Sequence, residues 1–155
     1  MESGNTGMTK LRDMKASDIP DIMQIEKECF NEPWTADNFL YELRKKVAHN
    51  WVVLCDNKLC AYMCFWEIGS ELQLNNIAVR KDVRRQGIAQ KLLDRMIQYA
   101  SDQHIKSITL EVSEQNRTAI KFYNKQGFKQ IGIRPLYYDY DLSNALILTK
   151  KLENV

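Results

Sequence analysis

A chain of 155 residues with 22 Lys and Arg against 20 Asp and Glu carries a net charge of only +2. That balance argues against a general nucleic-acid or membrane-surface binder held by phosphate contacts. The length suits one domain that buries roughly two-thirds of its unfolded surface. No apolar run approaches the ~18 residues of a membrane span, and the opening MESGNTGMTK has no apolar signal-peptide core, so a cytoplasmic location is expected.

Cys29, Cys55, Cys60 and Cys64 have no framework spacing, and His49 and His104 complete no ligand pattern with them. No metal is expected. Cys60 and Cys64 fall on one face of an apolar strand and read as small buried hydrophobes in a reducing compartment.

Residues 1–8 are small and polar and are expected to form a flexible tail before a single domain over 9–153. Thr9 to Met14 alternates weakly, as a first strand. Ser17 is placed to cap a helix reaching Cys29, with Ile19, Ile22, Met23 and Ile25 as its apolar face. Pro33-Trp34 interrupts, and Thr35 can cap a second helix carrying Phe39, Leu40 and Leu43. Trp51 to Cys55 and Leu59 to Trp66 read as a hairpin about Asp56-Asn57-Lys58. The second of these strands is apolar enough to be covered on both faces.

Leu72 to Val79 continues the sheet, but Leu72 and Leu74 share one phase of the alternation whereas Ile77 and Val79 share the other. A bulge near Asn75-Asn76 would account for the slip. A basic loop then leads through Gly87 into an amphipathic helix ending at Gln103, with Ile88, Ala89, Leu92, Leu93, Met96 and Ala100 on one stripe. Ser107 to Val112 is a strand that sets Glu111 opposite Ile108, Leu110 and Val112. Asn116 can cap a helix closed by Gly127, and strands over Phe128 to Ile133 and Ala145 to Leu152 flank a loop with Tyr137, Tyr138 and Tyr140. The order predicts an α/β (α+β) domain.

The junction Arg84-Arg85-Gln86-Gly87-Ile88-Ala89-Gln90 has the chemistry of an anion cradle. A helix start presents unpaired backbone N–H groups and a favourable dipole, and glycine lets an oxyanion approach closely. It lacks the Gly-Lys-Ser/Thr of a Walker loop and the three glycines of a dinucleotide fingerprint.

Taken with its neighbours, the stretch from Asn76 to Phe128 resembles the GCN5-related N-acetyltransferase (GNAT) family. Arg84, Gly87 and Ala89 match its Arg/Gln-x-x-Gly-x-Gly/Ala motif. Asn76-Ile77-Ala78-Val79 matches the strand before it, and Asn116 with Tyr123-Asn124-Lys125-Gln126-Gly127-Phe128 matches the second signature. Within the family, Pro33-Trp34, Leu110-Glu111-Val112 and Tyr137-Tyr138 make the chain resemble the RimI-type ribosomal-protein-alanine N-acetyltransferases. It departs from them at Ser143-Asn144, where they usually carry an acidic pair, and at Asp139, where some carry proline.

The resemblance implies a mixed, mostly antiparallel sheet of about seven strands with about four helices. It implies acetyl-CoA as co-substrate, with no metal. Backbone groups of Ile77, Ala78 and Val79 would hold the pantetheine arm; Arg84, Arg85, Gln86, Gly87, Ile88, Ala89 and Gln90 would hold the pyrophosphate; Asn116 would sit near the thiol. Glu111 would be the general base and Tyr123 the general acid, while Trp34, Tyr137 and Tyr138 would line the acceptor pocket.

Elementary chemistry agrees with those two catalytic roles. An α-amine with pKa around 8 needs less help to lose its proton than a lysine near 10.4, a carboxylate can take that proton, and a tyrosine can protonate a departing thiolate. The expected acceptor is a protein N-terminus, that of a ribosomal protein, with no direct nucleic-acid or membrane partner, acted on by a monomer or weak dimer. A GNAT enzyme for a small amine or a lysine side chain, and a non-catalytic acyl-CoA-binding module, are the alternatives.

Overall fold

The computed structural model describes residues 8–135, 137–138 and 142–152. Within them the order is β1 (Thr9–Asp13), α1 (Ile19–Cys29), α2 (Ala36–Arg44), β2 (Ala48–Cys55), β3 (Lys58–Ile68), β4 (Glu71–Val79), α3 (Ile88–Asp102), β5 (Ser107–Ser113), α4 (Arg117–Lys125), β6 (Lys129–Arg134) and β7 (Ala145–Lys151). The strands form one seven-stranded sheet in the order β1-β2-β3-β4-β5-β7-β6. Every pairing is antiparallel except β4 with β5, as the α3 crossover between those two requires.

Helices cover both faces. On one side Ile22 of α1 and Phe39 of α2 pack with Val52, Tyr62, Cys64 and Ala78. On the other, Leu92, Leu93 and Met96 of α3 and Tyr123 of α4 pack with Phe65, Leu72, Ile108 and Leu148. Strand β3 lies between these layers and is buried from Leu59 to Phe65, as its unbroken apolar run predicts.

Local chemistry sets the element ends. Thr35 and Asn38 form a reciprocal cap on α2, the Thr35 Oγ1 accepting from the Asn38 N–H at 3.1 Å and the Asn38 Oδ1 from the Thr35 N–H at 2.9 Å. The β2–β3 turn places Asp56 at φ 51° and Asn57 at φ 69°, residue types that tolerate the left-handed region a tight hairpin needs. Ser17 is not the cap of α1. Asp18 takes that place after a 3₁₀ turn over Ala16–Asp18. Its carboxylate accepts from the Lys15 N–H at 2.7 Å and pairs with Arg12 at 2.8 Å. These charge-assisted bonds outweigh what a serine hydroxyl offers.

The cysteine expectation is also corrected. Cys55 and Cys60 are joined as a disulfide across the hairpin. Cys60 packs with the α3-side cluster and Cys64 with the α1-side cluster, because the register shift at Val53/Leu54 breaks the alternation beside the bridge. The expected tail, except Met8, and Tyr140 and Glu153 lie outside the described residues.

Candidate active site

The expected bulge is present. Cys64 pairs with Asn76 and Phe65 with Leu74, leaving Asn75 as the extra residue in β4. This restores the alternation: Leu72 and Leu74 lie in the α3-side cluster with Ile77 and Val79 packed against it, while Ala78 faces the α1 side. The parallel pairing of β4 with β5 runs only from Glu71↔Ser107 to Leu74↔Leu110. Beyond it the two strands part, so Ile77, Ala78 and Val79 keep their β3 partners but present their other backbone edge to a gap in the sheet.

The loop after β4 leads into that gap. Arg85 at φ 66° and Gly87 at φ 79° turn the chain into α3, which carries no side-chain cap. Its first internal bond runs from the Lys91 N–H to the Gly87 carbonyl at 3.0 Å. Among the described residues, the backbone N–H groups of Arg85, Gln86, Gly87, Ile88, Ala89 and Gln90 find no acceptor. Six consecutive unpaired donors at a helix start form a concentrated anion site. A side chain on Gly87 would meet nothing within 4 Å, so there is room for a ligand over the turn.

Side chains of this loop are tied to the scaffold. The Arg84 guanidinium donates from Nε to the Val79 carbonyl at 3.0 Å and from Nη2 to the Cys29 Sγ at 3.0 Å. Burial raises the Cys29 thiol above its usual range despite that cation. Ile88 points into the core. Gln90 and Gln126 exchange amide hydrogen bonds of 2.8 and 2.7 Å, joining the start of α3 to the end of α4.

Glu111 leaves β5 on the face opposite Leu110 and Val112, as the pleat dictates. Arg134 of β6 reaches it across β7, donating to its Oε2 from Nη2 at 2.6 Å and from Nε at 3.0 Å. Tyr123 comes from the other face, nine-tenths buried against Phe122 and Phe128. Burial pushes its phenol up to about 12. Among the described residues its hydroxyl has no hydrogen-bond partner. Glu111 thus leaves the sheet on the face away from α3, whereas Tyr123 packs on the α3 side. Asn116 caps α4, its Oδ1 accepting from the Ala119 N–H at 3.2 Å.

Trp34 and the tyrosine pair, expected at the acceptor pocket, have these contacts. The Trp34 ring lies 5.0 Å from that of Phe39, and the Trp34 backbone N–H donates to Glu26 Oε2 at 2.9 Å. Tyr137 and Tyr138 meet edge to face at 5.0 Å, the Arg134 guanidinium lies 5.3 Å from the Tyr137 ring centroid, and the Tyr138 N–H donates to the Ser143 carbonyl at 3.3 Å.

Two site-forming residues escaped the sequence reading. Glu26 is 1% exposed and holds together Trp34, Tyr62 and Asn76. Its signal was present, since it falls on the buried stripe of Ile22, Ile25 and Cys29. Arg134 gave none, because its partner is two strands away. Among the described residues no group of three His, Cys, Asp or Glu could hold a metal ion, and no helix is long and apolar enough to cross a membrane.

The profile of the acetyltransferase (GNAT) family matches residues 19–128. The chain is 32% identical over 139 residues, covering 89% of itself and 92% of the relative, to a Bacillus subtilis (strain 168) protein provisionally named a [ribosomal protein bS18]-alanine N-acetyltransferase. It is 28% identical over 131 residues, covering 84% and 88%, to the [ribosomal protein bS18]-alanine N-acetyltransferase of Escherichia coli (strain K12). The crystal structure of the ribosomal-protein-S18-alanine N-acetyltransferase from Escherichia coli matches with a TM-score of 0.88 at 27% identity, covering 96% of both chains. Enzymes of this family draw their acetyl group from acetyl-CoA. The bulged and parted strands, the run of free amides and the matched profile together show that the chain belongs to the acetyltransferase (GNAT) family and is an acyltransferase.

Proposed function

We propose that this protein acetylates the α-amine of a protein N-terminus, that of an alanine-starting ribosomal protein, using acetyl-CoA. The observation that carries this reading is similarity over nearly the whole chain to enzymes named for that reaction. Trp34 falls within the span that matches the family profile, residues 19–128.

The residues present fit acetyl-CoA. The six free amides from Arg85 to Gln90 suit a pyrophosphate, the β4 edge at Ile77, Ala78 and Val79, beyond the last pairing with β5, suits the amide-bearing pantetheine arm, and Asn116 would sit near the thiol. When bound, acetyl-CoA supplies the acetyl group as a thioester and leaves as a thiolate. Glu111 takes the proton of the incoming amine, directly or through water, and Tyr123 gives a proton to the departing sulfur. The free hydroxyl of Tyr123 and its raised pKa keep that proton available throughout the neutral range. No metal takes part in these steps.

Incubation with acetyl-CoA and a panel of N-terminal peptides, polyamines and lysine peptides tests the proposal. Preference for an alanine-starting peptide is expected, and preference for a polyamine or a lysine side chain would overturn it. Binding of CoA without turnover, unchanged by Glu111→Gln with Tyr123→Phe, would mark a non-catalytic module. Mass spectrometry of intact ribosomal proteins from cells with and without the chain would then identify the acceptor.

A further inference from the structure

Arg134 is the one guanidinium bonded to Glu111 among the described residues, and the form of the contact is informative. Nε and Nη2 converge on the same oxygen, Oε2. The other oxygen, Oε1, accepts no hydrogen bond among the described residues. Two N–H groups on one oxygen fix the plane and direction of the carboxylate while leaving one oxygen to meet an incoming amine.

The register explains how the reach is possible. Glu111 pairs with Ile147 of β7, and Arg134 pairs with Ala145, so the guanidinium crosses β7 on a diagonal. Residues directly opposite share a face. Directly opposite Arg134 stands only the methyl of Ala145, which is fully buried, with Ile147 next on the same face opposite Glu111.

The far side of the guanidinium lies against Tyr137, so one residue contacts both the proposed base and the proposed acceptor wall. Stability alone does not account for it. The Arg134 side chain is 53% exposed, and ion pairs at that exposure contribute little to folding.

We infer that Arg134 is a positioning residue for acetyl transfer: it holds Glu111 in its working orientation and, through its contact with Tyr137, ties that orientation to the order of the acceptor pocket. The inference rests on Glu111 as the general base. An acceptor peptide that packs on Tyr137 steadies the arginine and hence the carboxylate that must receive the amine proton.

A double-mutant cycle tests this, with steady-state kinetics on an alanine-starting peptide and acetyl-CoA for the wild type, Arg134→Met, Arg134→Lys, Glu111→Gln and the Arg134→Met/Glu111→Gln pair. Arg134→Met is expected to lower kcat on the order of tenfold, part of the ~10²–10⁴-fold that a positioned base supplies, with KM for acetyl-CoA unchanged. Arg134→Lys, which keeps one donor, should recover part of the loss. In the Glu111→Gln background the Arg134→Met change should cost less than about twofold, because groups that act as a unit are non-additive.

Equal losses in both backgrounds would overturn the inference, since Arg134 would then act without Glu111, and so would wild-type kcat in Arg134→Met. Wild-type kcat in Glu111→Gln would instead refute the reading of Glu111 as base and the inference with it. Thermal unfolding of each variant separates these outcomes from loss of fold.

Discussion

Glu26 and Asn76, fifty positions apart, are joined inside the protein by a 3.0 Å hydrogen bond from the Asn76 amide to the Glu26 Oε1. The same oxygen accepts from the Tyr62 hydroxyl at 2.6 Å, and Oε2 accepts from the Trp34 N–H at 2.9 Å. One carboxylate thus ties helix α1, the loop bearing Trp34, strand β3 and the residue after the β4 bulge. Glu26 therefore couples the Trp34 loop to the bulged part of β4. Tyr62, deep in the core, is held in its neutral form by burial and by this acceptor, its phenol pushed far above the usual range.

Glu26→Ala would orphan two buried donors, the Tyr62 hydroxyl and the Asn76 amide, and the part-buried N–H of Trp34. An unsatisfied buried donor costs about 1–3 kcal/mol, so a loss of about 3 kcal/mol or more is expected in urea unfolding. Glu26→Gln keeps the shape and can meet the donors after its own amide and that of Asn76 turn over, so its loss should be about half as large. A loss below about 1 kcal/mol for Glu26→Ala would show that the loop rearranges freely and that the network does not hold the bulge.

Gly87 makes a separable prediction. At φ 79° an alanine is strained, by about 1–2 kcal/mol, yet its methyl would meet no protein atom within 4 Å. Gly87→Ala should therefore lower stability modestly and raise KM for acetyl-CoA much more than KM for the acceptor peptide, because the methyl occupies the space over the free amides. Equal changes in the two constants would place the phosphate elsewhere.

The start of α3 and the bulge in β4 were legible in the sequence because their causes are local. A basic loop, one glycine and an amphipathic run specify a helix start, and the phase slip between Leu74 and Ile77 specifies a bulge. Both follow from spacing along one segment. The long-range side-chain contacts were not legible in the same way. Arg134 meets Glu111 only because β7 inserts between β5 and β6, and strand order is a tertiary fact. Glu26 falls on the apolar stripe of α1, but its partners Tyr62 and Asn76 lie 36 and 50 positions away. The start of β2 was missed for a related reason: His49 and Asn50 break the apolar run, but Asn50 is buried, donating from Nδ2 to the Glu42 carbonyl at 3.2 Å and accepting at its backbone carbonyl from the Met14 N–H at 2.9 Å.

Tyr123 joins stability and activity in one side chain, and pH separates the two. In the unfolded chain a phenol titrates near 10, whereas in the folded protein burial pushes Tyr123 up to about 12. Below pH 10 the phenol is neutral in both states and the fold keeps its full stability. Between pH 10 and 12 the unfolded chain releases its proton first, which favours unfolding, and above 12 no further loss comes from this group. The two-unit difference corresponds to about 2–3 kcal/mol. Tyr123→Phe has no such proton, so its urea midpoint should fall less than that of the wild type between pH 8 and pH 11.5, with Tyr62 contributing equally to both. At pH 8 the same substitution should lower kcat on the order of a hundredfold, the scale of a lost general acid, while leaving KM for acetyl-CoA within about twofold of the wild type, since only a proton donor has been removed. Parallel alkaline declines would show that the phenol is not sequestered from water. An unchanged kcat would assign the proton delivered to the departing thiolate to solvent, and would leave Tyr123 a packing residue of α4.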